Sequence, residues 1–384
     1  MTSSRRIVVT GLIAQYPLGG LTWHYLQYVA GLAQLGHEVF YLEDSGEWPY
    51  NPVEGGLGTD CAFNVAYLNQ VLARFGLEDR WTYCFPRDSE WFGLPNHARA
   101  EMLASADLLI NVSGTLYRPE AYRQVRRLAY IDTDPVFTQI KLASGQASIR
   151  RLVDAHDVHF SFGEALGHPV PETGHRWVAT RQPILLSEWD GATATREVFT
   201  TVMNWTSYAD VQWKGRTYGQ KNVEFNRFID LPRLVAPTRL ELALAAGKTQ
   251  SSPYELLRQR GWRVVDPIQA SGDLDGYREY VRSSKAEWAV AKGAYVAGRP
   301  GWFSERSACY LAAGRPVVVQ DTGFDTTLPV GEGIVSYSTV EQAAAGIRAV
   351  EASYDRHSTA ARQIAVDYFD SSKVLQRLLE EALL

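Results

Sequence analysis

Short apolar runs alternate with amphipathic segments along the chain, and the first fifty residues show the pattern most simply. Residues 7–10 and 38–42 are apolar without the apolar-polar alternation of a half-exposed strand. Such runs are typical of strands that are buried on both faces of a parallel sheet. Between them, residues 22–35 have apolar positions at helical spacing and are followed by Gly36, a common helix terminator. The three segments predict a strand, a helix and a second parallel strand.

The same alternation continues to the end of the chain. Residues 181–195 lack periodicity and end in small polar residues, which is typical of a linker, and residues 45–58 predict a loop or lid. We therefore predict an α/β protein of two tandem Rossmann-like domains, residues 1–187 and 195–364, that face a central cleft. Further strands are predicted within residues 106–114, 126–135, 156–167, 197–205, 238–244, 261–267, 287–292, 316–323 and 333–338, and helices at 252–259, 304–313 and through most of 339–384.

Composition and charge narrow the classes of partner. The chain has 384 residues, 46% hydrophobic and 21% charged, as expected of a folded globular protein. The net charge of −5 gives no general attraction for nucleic acid or an anionic membrane, so nucleic acid is disfavoured as a partner. Apolar runs stay far below the roughly 18 residues of a membrane span. Three scattered cysteines, without a CxxC pair, argue against a disulfide framework and a zinc site and favour the cytoplasm.

The stretch "GWFSERSACYLAAGRPVVVQDTG", residues 301–323, combines a helix, a turn and a strand with two polar ends. Ligands of parallel α/β sheets bind at helix N-termini and in the loops that follow strands. The polar residues at the helix start either stabilise the helix, as a cap and a first-turn charge, or hold a phosphate or a sugar hydroxyl. The candidate ligand-binding residues are Ser304, Glu305 and Arg306 at the helix start and Asp321, Thr322 and Gly323 past the strand.

The start of the first helix is a second candidate. Gly19 and Gly20 form a turn that suits close approach of the backbone to an anion or a sugar, although "PLGG" also makes an ordinary turn. His24 lies on the predicted first turn of this helix and is either a structural histidine or a base that faces the cleft.

Two carboxylates follow the predicted strand in "YIDTDP". Asp132 and Asp134 either divide into an ionised base and a partner of raised pKa, or they form an Asx turn before Pro135. A catalytic role is predicted for Asp132.

In the second half, Asn204 ends a predicted strand, and Gln220 and Lys221 begin a predicted helix. A further group, Lys285, Glu287 and Lys292, surrounds another strand and is assigned a structural role.

The chain resembles the nucleotide-sugar-dependent glycosyltransferases of the GT-B fold. The resemblance is carried by "AAGRPVVVQDTG", "GEGIVSYS" and "TVEQAAAGIRAV" in the second half and by "PLGGLTWHYLQYVAGLAQLGHEVFYL" at the start. The final "ARQIAVDYFDSSKVLQRLLEEAL" is similar to the terminal helix of that family, which crosses back to the first domain; residues 365–384 would then belong with residues 1–187.

The resemblance implies transfer of a sugar from a nucleotide sugar, such as a UDP-sugar, to a small-molecule or glycan acceptor. It implies that Lys221, with Asn204 and Gln220 nearby, neutralises the donor diphosphate, so that neither a metal nor another cofactor is required. It also places a histidine near His24. In many members a glutamate that grips the ribose stands five residues before the glycine of "GRP"; here this position is Cys309, and Glu305 lies one turn earlier.

Several alternatives stay open at this point. A GT-B epimerase would use a similar architecture with several carboxylates in the cleft. A glycosyltransferase acting on a modified base in nucleic acid, or a protein that only binds a nucleotide sugar, also fits the pattern. A dinucleotide-dependent enzyme is disfavoured because no GxGxxG follows the first strand. "DTD" resembles the metal-binding motif of the other glycosyltransferase fold, but that fold has a single domain.

Overall fold

The computed structural model describes residues 4–191, 194–247 and 253–384. Residues 192 and 193 of the predicted linker and the predicted helix start at Ser252 lie outside these ranges. The strands are β1 Arg6–Thr10, β2 Glu38–Glu43, β3 Tyr50–Asn51, β4 Gly56–Leu57, β5 Trp81–Phe85, β6 Glu90–Gly93, β7 Leu108–Val112, β8 Leu128–Asp132, β9 Val158–Ser161, β10 Trp177–Ala179, β11 Val198–Asn204, β12 Val211–Trp213, β13 Arg216–Tyr218, β14 Arg239–Ala245, β15 Arg263–Val265, β16 Ala286–Ala289, β17 Val317–Gln320 and β18 Ile334–Tyr337.

Helices connect most of these strands, as the alternating pattern predicts. They are α1 Gly19–Gln34, α2 Ala62–Ala73, α3 Asn96–Ser105, α4 Phe137–Ala143, α5 Ala147–Asp154, α6 Leu186–Trp189, α7 Lys221–Phe225, α8 Leu231–Val235, α9 Tyr254–Gln259, α10 Pro267–Ser271, α11 Leu274–Ser283, α12 Gly293–Gly298, α13 Glu305–Ala312, α14 Val340–Ala352, α15 Tyr354–Ile364 and α16 Ser371–Ala382.

Two separate sheets confirm the tandem α/β architecture. The first has the strand order β10-β9-β8-β7-β1-β2-β5-β6 and is parallel except for β6, and the second, β15-β14-β11-β16-β17-β18, is parallel throughout. In each sheet the first strand in the chain, β1 or β11, lies in the interior of the sheet. The strands that follow it directly in the chain lie on one side of it, and the strands from β7 or β16 onward lie on its other side. This reversal creates a crevice at the carboxyl ends of β1 and β7 and another at those of β11 and β16, which is where ligands of Rossmann-like sheets bind.

The two domains touch on both sides of the cleft between them. On one side α1 packs against α11, where Trp23 Nε1 donates to the Leu274 carbonyl oxygen at 2.9 Å. Gly19 leaves room for this contact, because a Cβ atom there would lie 2.0 Å from the Asp273 carbonyl oxygen. On the other side an apolar cluster joins Val136 and Phe137, Ile140 and Val170 of the first domain to Tyr218, Ala291, Ala294 and Tyr295 of the second.

The chain crosses between the domains twice, and the two crossings are paired. Ile184 N donates to the Phe369 carbonyl oxygen at 2.7 Å, and Ser371 N donates to the Ile184 carbonyl oxygen at 2.9 Å. The segment predicted as a linker is therefore packed rather than extended, and Ile184 and Trp189 are fully buried. After the second crossing, α16 packs against α1, as the resemblance implied. Within the described residues, no helix is long and apolar enough to cross a membrane.

We expect Gly19→Ala to lower the free energy of unfolding by about 1–3 kcal/mol, because the added methyl group forces α1 away from α11. A urea titration followed by tryptophan fluorescence measures this change. Gly167→Ala is the matched control, since a Cβ atom at Gly167 would meet nothing within 4 Å. Equal urea midpoints for the two variants would contradict the proposed tight contact.

Candidate functional site

A cavity of about 390 Å³ lies between the domains, at the carboxyl ends of both sheets. Its volume is in the range of small-molecule binding sites. The first domain lines it with Gly20, Leu21, His24, Tyr25, Ser113, Thr133 and Asp134, and the second with Lys221, Lys292, Tyr295, Trp302, Ser304 and Glu305. Both domains are therefore needed to form the site.

Lys221, the first residue of α7, places an ammonium group in the cavity without a carboxylate partner. Its neighbours Arg306 and Lys292 pair with Glu287 and Asp134, whereas no ion pair among the described residues includes Lys221. Burial, together with the charges of Arg306 and Lys292, lowers the pKa of Lys221 to about 7. A half-buried cation in this state attracts an anion, since an added negative charge would offset its desolvation.

The N-terminus of α13 lies at the same wall of the cavity. Ser304 occupies the N-cap position with an extended backbone, but its side chain makes no capping hydrogen bond. Of the two alternatives for this hydroxyl, the capping role is therefore not the one that the structure shows. Free backbone N–H groups and the helix dipole at this end favour negative charge next to Lys221.

His24 faces these residues from the first domain. It lies in the second turn of α1, because the helix begins three residues earlier than the pattern predicts. Its Nε2 is 3.3 Å from Ser113 Oγ, which in turn lies 2.8 Å from Thr133 Oγ1. Burial lowers the pKa of His24, while the charge of Glu305 and the Gln182 side chain act in the opposite direction. The imidazole is therefore neutral at neutral pH, the form that accepts a proton.

Asp132 does not line the cavity, which corrects its predicted place at the reacting centre. Its side chain is buried and accepts hydrogen bonds from Thr138 Oγ1 at 2.7 Å, Gln139 Nε2 at 2.9 Å and Ser161 Oγ at 3.1 Å. Burial raises its pKa to about 6, although these bonds act against the rise. The carboxylate thus holds the end of β8 against the start of α4, behind the cavity wall.

The neighbouring Asp134 takes the position on the cavity wall. Lys292 Nζ lies 2.8 Å from its Oδ1, and the hydroxyls of Tyr208 and Tyr295 also donate to it. Burial acts to raise the pKa of Asp134, but Lys292 and the hydroxyls outweigh it and hold the pKa below its ordinary value. All three partners belong to the second domain, so this carboxylate joins the domains beside the cavity.

Sequence reasoning missed Lys292, Tyr295 and Trp302 as cavity residues. Lys292 was assigned a structural role, and it combines that role, through Asp134, with a place in the cavity wall. Tyr295 and Trp302 stack at 4.3 Å between ring centroids, and Trp302 Nε1 donates to the Thr133 carbonyl oxygen at 3.3 Å. The only signal in the sequence was the abundance of aromatic residues.

Several predicted donor-binding residues instead support the fold. Arg306 is buried, pairs with Glu287 and donates to the Val202 carbonyl oxygen at 2.7 Å. Asn204 is exposed at the end of β11, and Gln220 is buried before α7. None of these side chains lines the cavity between the domains.

The loop of Asp321, Thr322 and Gly323 also lies outside the cavity lining. Asp321 pairs with Arg299, and Thr322 Oγ1 donates to the Trp302 carbonyl oxygen. Gly323 has φ 89°, and a Cβ atom there would lie 2.8 Å from the Arg299 carbonyl oxygen. The loop therefore fastens the segment that carries Trp302, and Thr322 lies with Ser304 and Arg306 around a separate small cavity rather than in the lining of the cavity between the domains.

Among the described residues, no group of three or more histidine, cysteine, aspartate or glutamate side chains is arranged to hold a metal ion.

Comparisons with known proteins identify the fold of the chain. No protein-family model matches it, and a search of curated proteins found no match. An alpha-glucosyltransferase solved with UDP and a 13-mer DNA superposes with a TM-score of 0.58 at 11% identity, covering 99% of both chains. HepE from Anabaena, solved with UDP-glucose, gives 0.58 at 12% identity and covers 97% of this chain and 98% of that one.

A sucrose-phosphate synthase from Thermosynechococcus elongatus gives a TM-score of 0.55 at 12% identity over 97% of each chain. The chain has the GT-B fold. The similarity extends over nearly the whole chain, so it includes both domains and the returning C-terminal helix.

Cys309 lies deep in the interface of the GT-B domains rather than in the cavity. Its side chain is buried, with Gln27 Nε2 of α1 at 3.9 Å from Sγ. Burial raises the pKa of the thiol, so it stays protonated. Glu305, one turn earlier on α13, does line the cavity.

We expect Asp132→Ala to lower the free energy of unfolding by about 2–4 kcal/mol, because three buried donors lose their acceptor. Chemical denaturation measures the change, with the exposed Asp79→Ala as control. A loss of turnover in Asp132→Ala without a loss of stability would instead return this residue to the reacting centre.

Proposed function

We propose that the chain transfers a sugar from a nucleoside diphosphate sugar, specifically a UDP-sugar, to a hydroxyl group of an acceptor. The observation that carries this proposal is the Lys221 ammonium, which has no ion-pair partner in the described part of the chain and lies beside the N-terminus of α13, in a cavity between two Rossmann-like domains. Two structural neighbours of the chain, the alpha-glucosyltransferase and HepE, were solved with UDP or UDP-glucose, which supports the choice of donor.

The donor diphosphate would take the place opposite Lys221. The Lys221 ammonium and the N–H groups at the start of α13 compensate the charge that develops on the leaving diphosphate. In this arrangement the charge is carried by protein groups, so no metal ion is needed. Glu305 would bind the ribose hydroxyls, the role that Cys309 cannot fill.

The acceptor hydroxyl would meet His24. The neutral imidazole removes the hydroxyl proton while the acceptor oxygen bonds to the anomeric carbon, and the bond from that carbon to the diphosphate oxygen breaks. Ser113 and Thr133 hold a chain of hydroxyls next to the ring and limit its rotation. Contacts of the domains on both sides of the cavity exclude water, which would otherwise compete as acceptor.

Two alternative functions, a nucleotide-sugar epimerase and a glycosyltransferase that acts on a base in nucleic acid, would form different products. A nucleotide-sugar epimerase needs free carboxylates in the cleft; of the two that line this cavity, Asp134 is already paired with Lys292. Glycosylation of a base in nucleic acid is favoured by the structural neighbour that was solved with DNA. Incubation with UDP-glucose distinguishes a transferase from an epimerase or a binding protein: release of UDP indicates a transferase, isomer formation an epimerase, and binding without turnover a binding protein. A thermal-shift panel of nucleoside diphosphates tests the donor base independently.

We expect the dissociation constant of UDP to rise by up to about tenfold per pH unit above pH 7, because free Lys221 loses its proton there and UDP binding must restore it. UDP itself changes little in this range, since the second pKa of a terminal phosphate is near 6. Isothermal titration calorimetry in buffers of different ionisation enthalpy measures both the affinity and the proton uptake.

Variants of Lys221 control this experiment. Lys221→Ala should weaken UDP binding about 10–100-fold and remove the pH dependence, whereas Lys221→Arg should keep the cation and flatten the pH profile. The exposed Lys214→Ala should match the wild type. A pH profile that is unchanged in Lys221→Ala would refute the assignment.

We expect His24→Ala to reduce kcat by about 10²–10⁴-fold while UDP affinity is kept, because the base is lost and the diphosphate site is not. In the wild type the acidic limb of the kcat profile should lie below the ordinary histidine pKa, since burial lowers the pKa of His24. Steady-state kinetics measure both, with the exposed His97→Ala as control. Unchanged kcat in His24→Ala would exclude the histidine as base.

A further inference from the structure

Three loops extend the cavity along the carboxyl edge of the first sheet. They are residues 11–18 after β1, residues 44–60 after β2 and residues 113–118 after β7. Tyr50 N donates to the Gln15 carbonyl oxygen at 2.7 Å, and Tyr117 N donates to the Asp44 carbonyl oxygen at 2.9 Å. These bonds join the three loops into one surface, which reaches the cavity at Ser113.

Four aromatic side chains, Tyr16, Trp48, Tyr50 and Tyr117, lie on this surface, and we call them the aromatic rim. Trp48 is 41% exposed and Tyr117 is 57% exposed. Tyr16 and Tyr50 lie 6.4 Å apart, between ring centroids. All four are large, rigid rings that a ligand can cover at small cost in side-chain entropy.

The rings are held in place from beneath. Trp48 packs edge-on against Phe85 at 5.4 Å, and the Tyr117 ring packs on the backbone of Gly46, where a Cβ atom would lie 2.8 Å from the ring. Asn64 of α2 donates to the Tyr50 carbonyl oxygen at 2.9 Å. The aromatic rim is therefore a fixed platform, although it is exposed.

The rim is bordered mainly by carboxylates. Residues 44–60 contain no lysine, arginine or histidine. Arg118 lies close to it, with its guanidinium 5.3 Å from the centre of the Tyr117 ring, and Arg99 interacts electrostatically with Asp44. Carboxylates accept hydrogen bonds from hydroxyl groups and repel phosphodiesters. The carboxylates are Asp44, Glu47, Glu54 and Asp60.

We propose that the aromatic rim binds a neutral carbohydrate chain, which is the acceptor of the transfer reaction. Flat rings stack on the apolar faces of pyranose rings, and the surrounding carboxylates accept bonds from sugar hydroxyls. This inference rests on the proposed glycosyl transfer, and it identifies the class of acceptor.

The aromatic rim is connected to His24, the proposed base, through Tyr25. Tyr16 lies close enough to Tyr25 to affect its ionisation, and Tyr25 lines the cavity with its ring 4.7 Å from that of His24. A carbohydrate chain lying on the rim places its terminal hydroxyl at His24, while its remaining residues stay on the aromatic platform.

The same surface disfavours nucleic acid, although one structural neighbour was solved with DNA. Nucleic acid binds through several phosphate contacts to lysine and arginine, and each contact contributes to a steep salt dependence. Here residues 44–60 carry four carboxylates and no basic residue, while Arg118 and Arg99 lie beside this segment. A duplex lying across it would meet mainly like charge.

The test uses the full chain, UDP-glucose and two acceptor sets: neutral α- and β-linked hexasaccharides, and a 13-mer DNA with a hydroxymethylated pyrimidine. Mass spectrometry identifies the product, and saturation-transfer NMR measures hexasaccharide binding without a donor. We expect transfer to a hexasaccharide, with KM raised about tenfold in Trp48→Ala and Tyr117→Ala. UDP release in the absence of acceptor should stay at the wild-type rate, and Trp48→Phe should restore most of the affinity.

Val53→Ala is the matched control and should not change KM. Val53 is exposed and lies in the turn between β3 and β4, within the same loop as Trp48. Transfer to the DNA alone, absence of binding by every hexasaccharide, or a KM that neither rim variant changes would overturn the proposal. Failure of the proposed function gives a different result: hexasaccharide binding that depends on Trp48, with no UDP released from the donor under any condition.

Discussion

The close contact between α1 and α11 is the constraint on which the site depends. Gly19 lets the start of α1 approach the Asp273 carbonyl oxygen, and Trp23 then bonds to the first turn of α11. The same helix carries His24 five residues after Gly19. The contact that brings the carboxyl edges of the two sheets together therefore also sets the position of the histidine relative to Lys221. The contact that joins the domains is therefore also the contact that assembles the site.

The two cavity lysines show how the same residue type serves different purposes. Lys292 is neutralised by Asp134 across the domain boundary, so it stabilises the closed arrangement without a ligand. Lys221 has no such partner among the described residues, and its burial is unfavourable until an anion arrives. Part of the affinity for an anionic ligand therefore comes from relief of a cost that the empty protein already carries.

The fold could be predicted from the sequence because apolar periodicity and turn residues are local signals. Strands, helices and the tandem arrangement followed from them, and the resemblance supplied the returning C-terminal helix. The site was harder, because contacts between distant residues decide it. Asp132 and Asp134 are equivalent in the sequence, but Thr138 and Gln139 capture one of them. Arg306 is likewise occupied by Glu287, on a strand nineteen residues earlier, which no local pattern reveals.

The paired crossings at Ile184 and Asp370 limit how the two domains can move apart. One covalent connection would let the domains swivel about any axis. Two connections that are hydrogen-bonded to each other resist sliding and twisting, and they leave bending across the pair as the softest motion. Bending across these paired connections, which adjoin the returning helix, is therefore the relative motion of the domains that the connections oppose least.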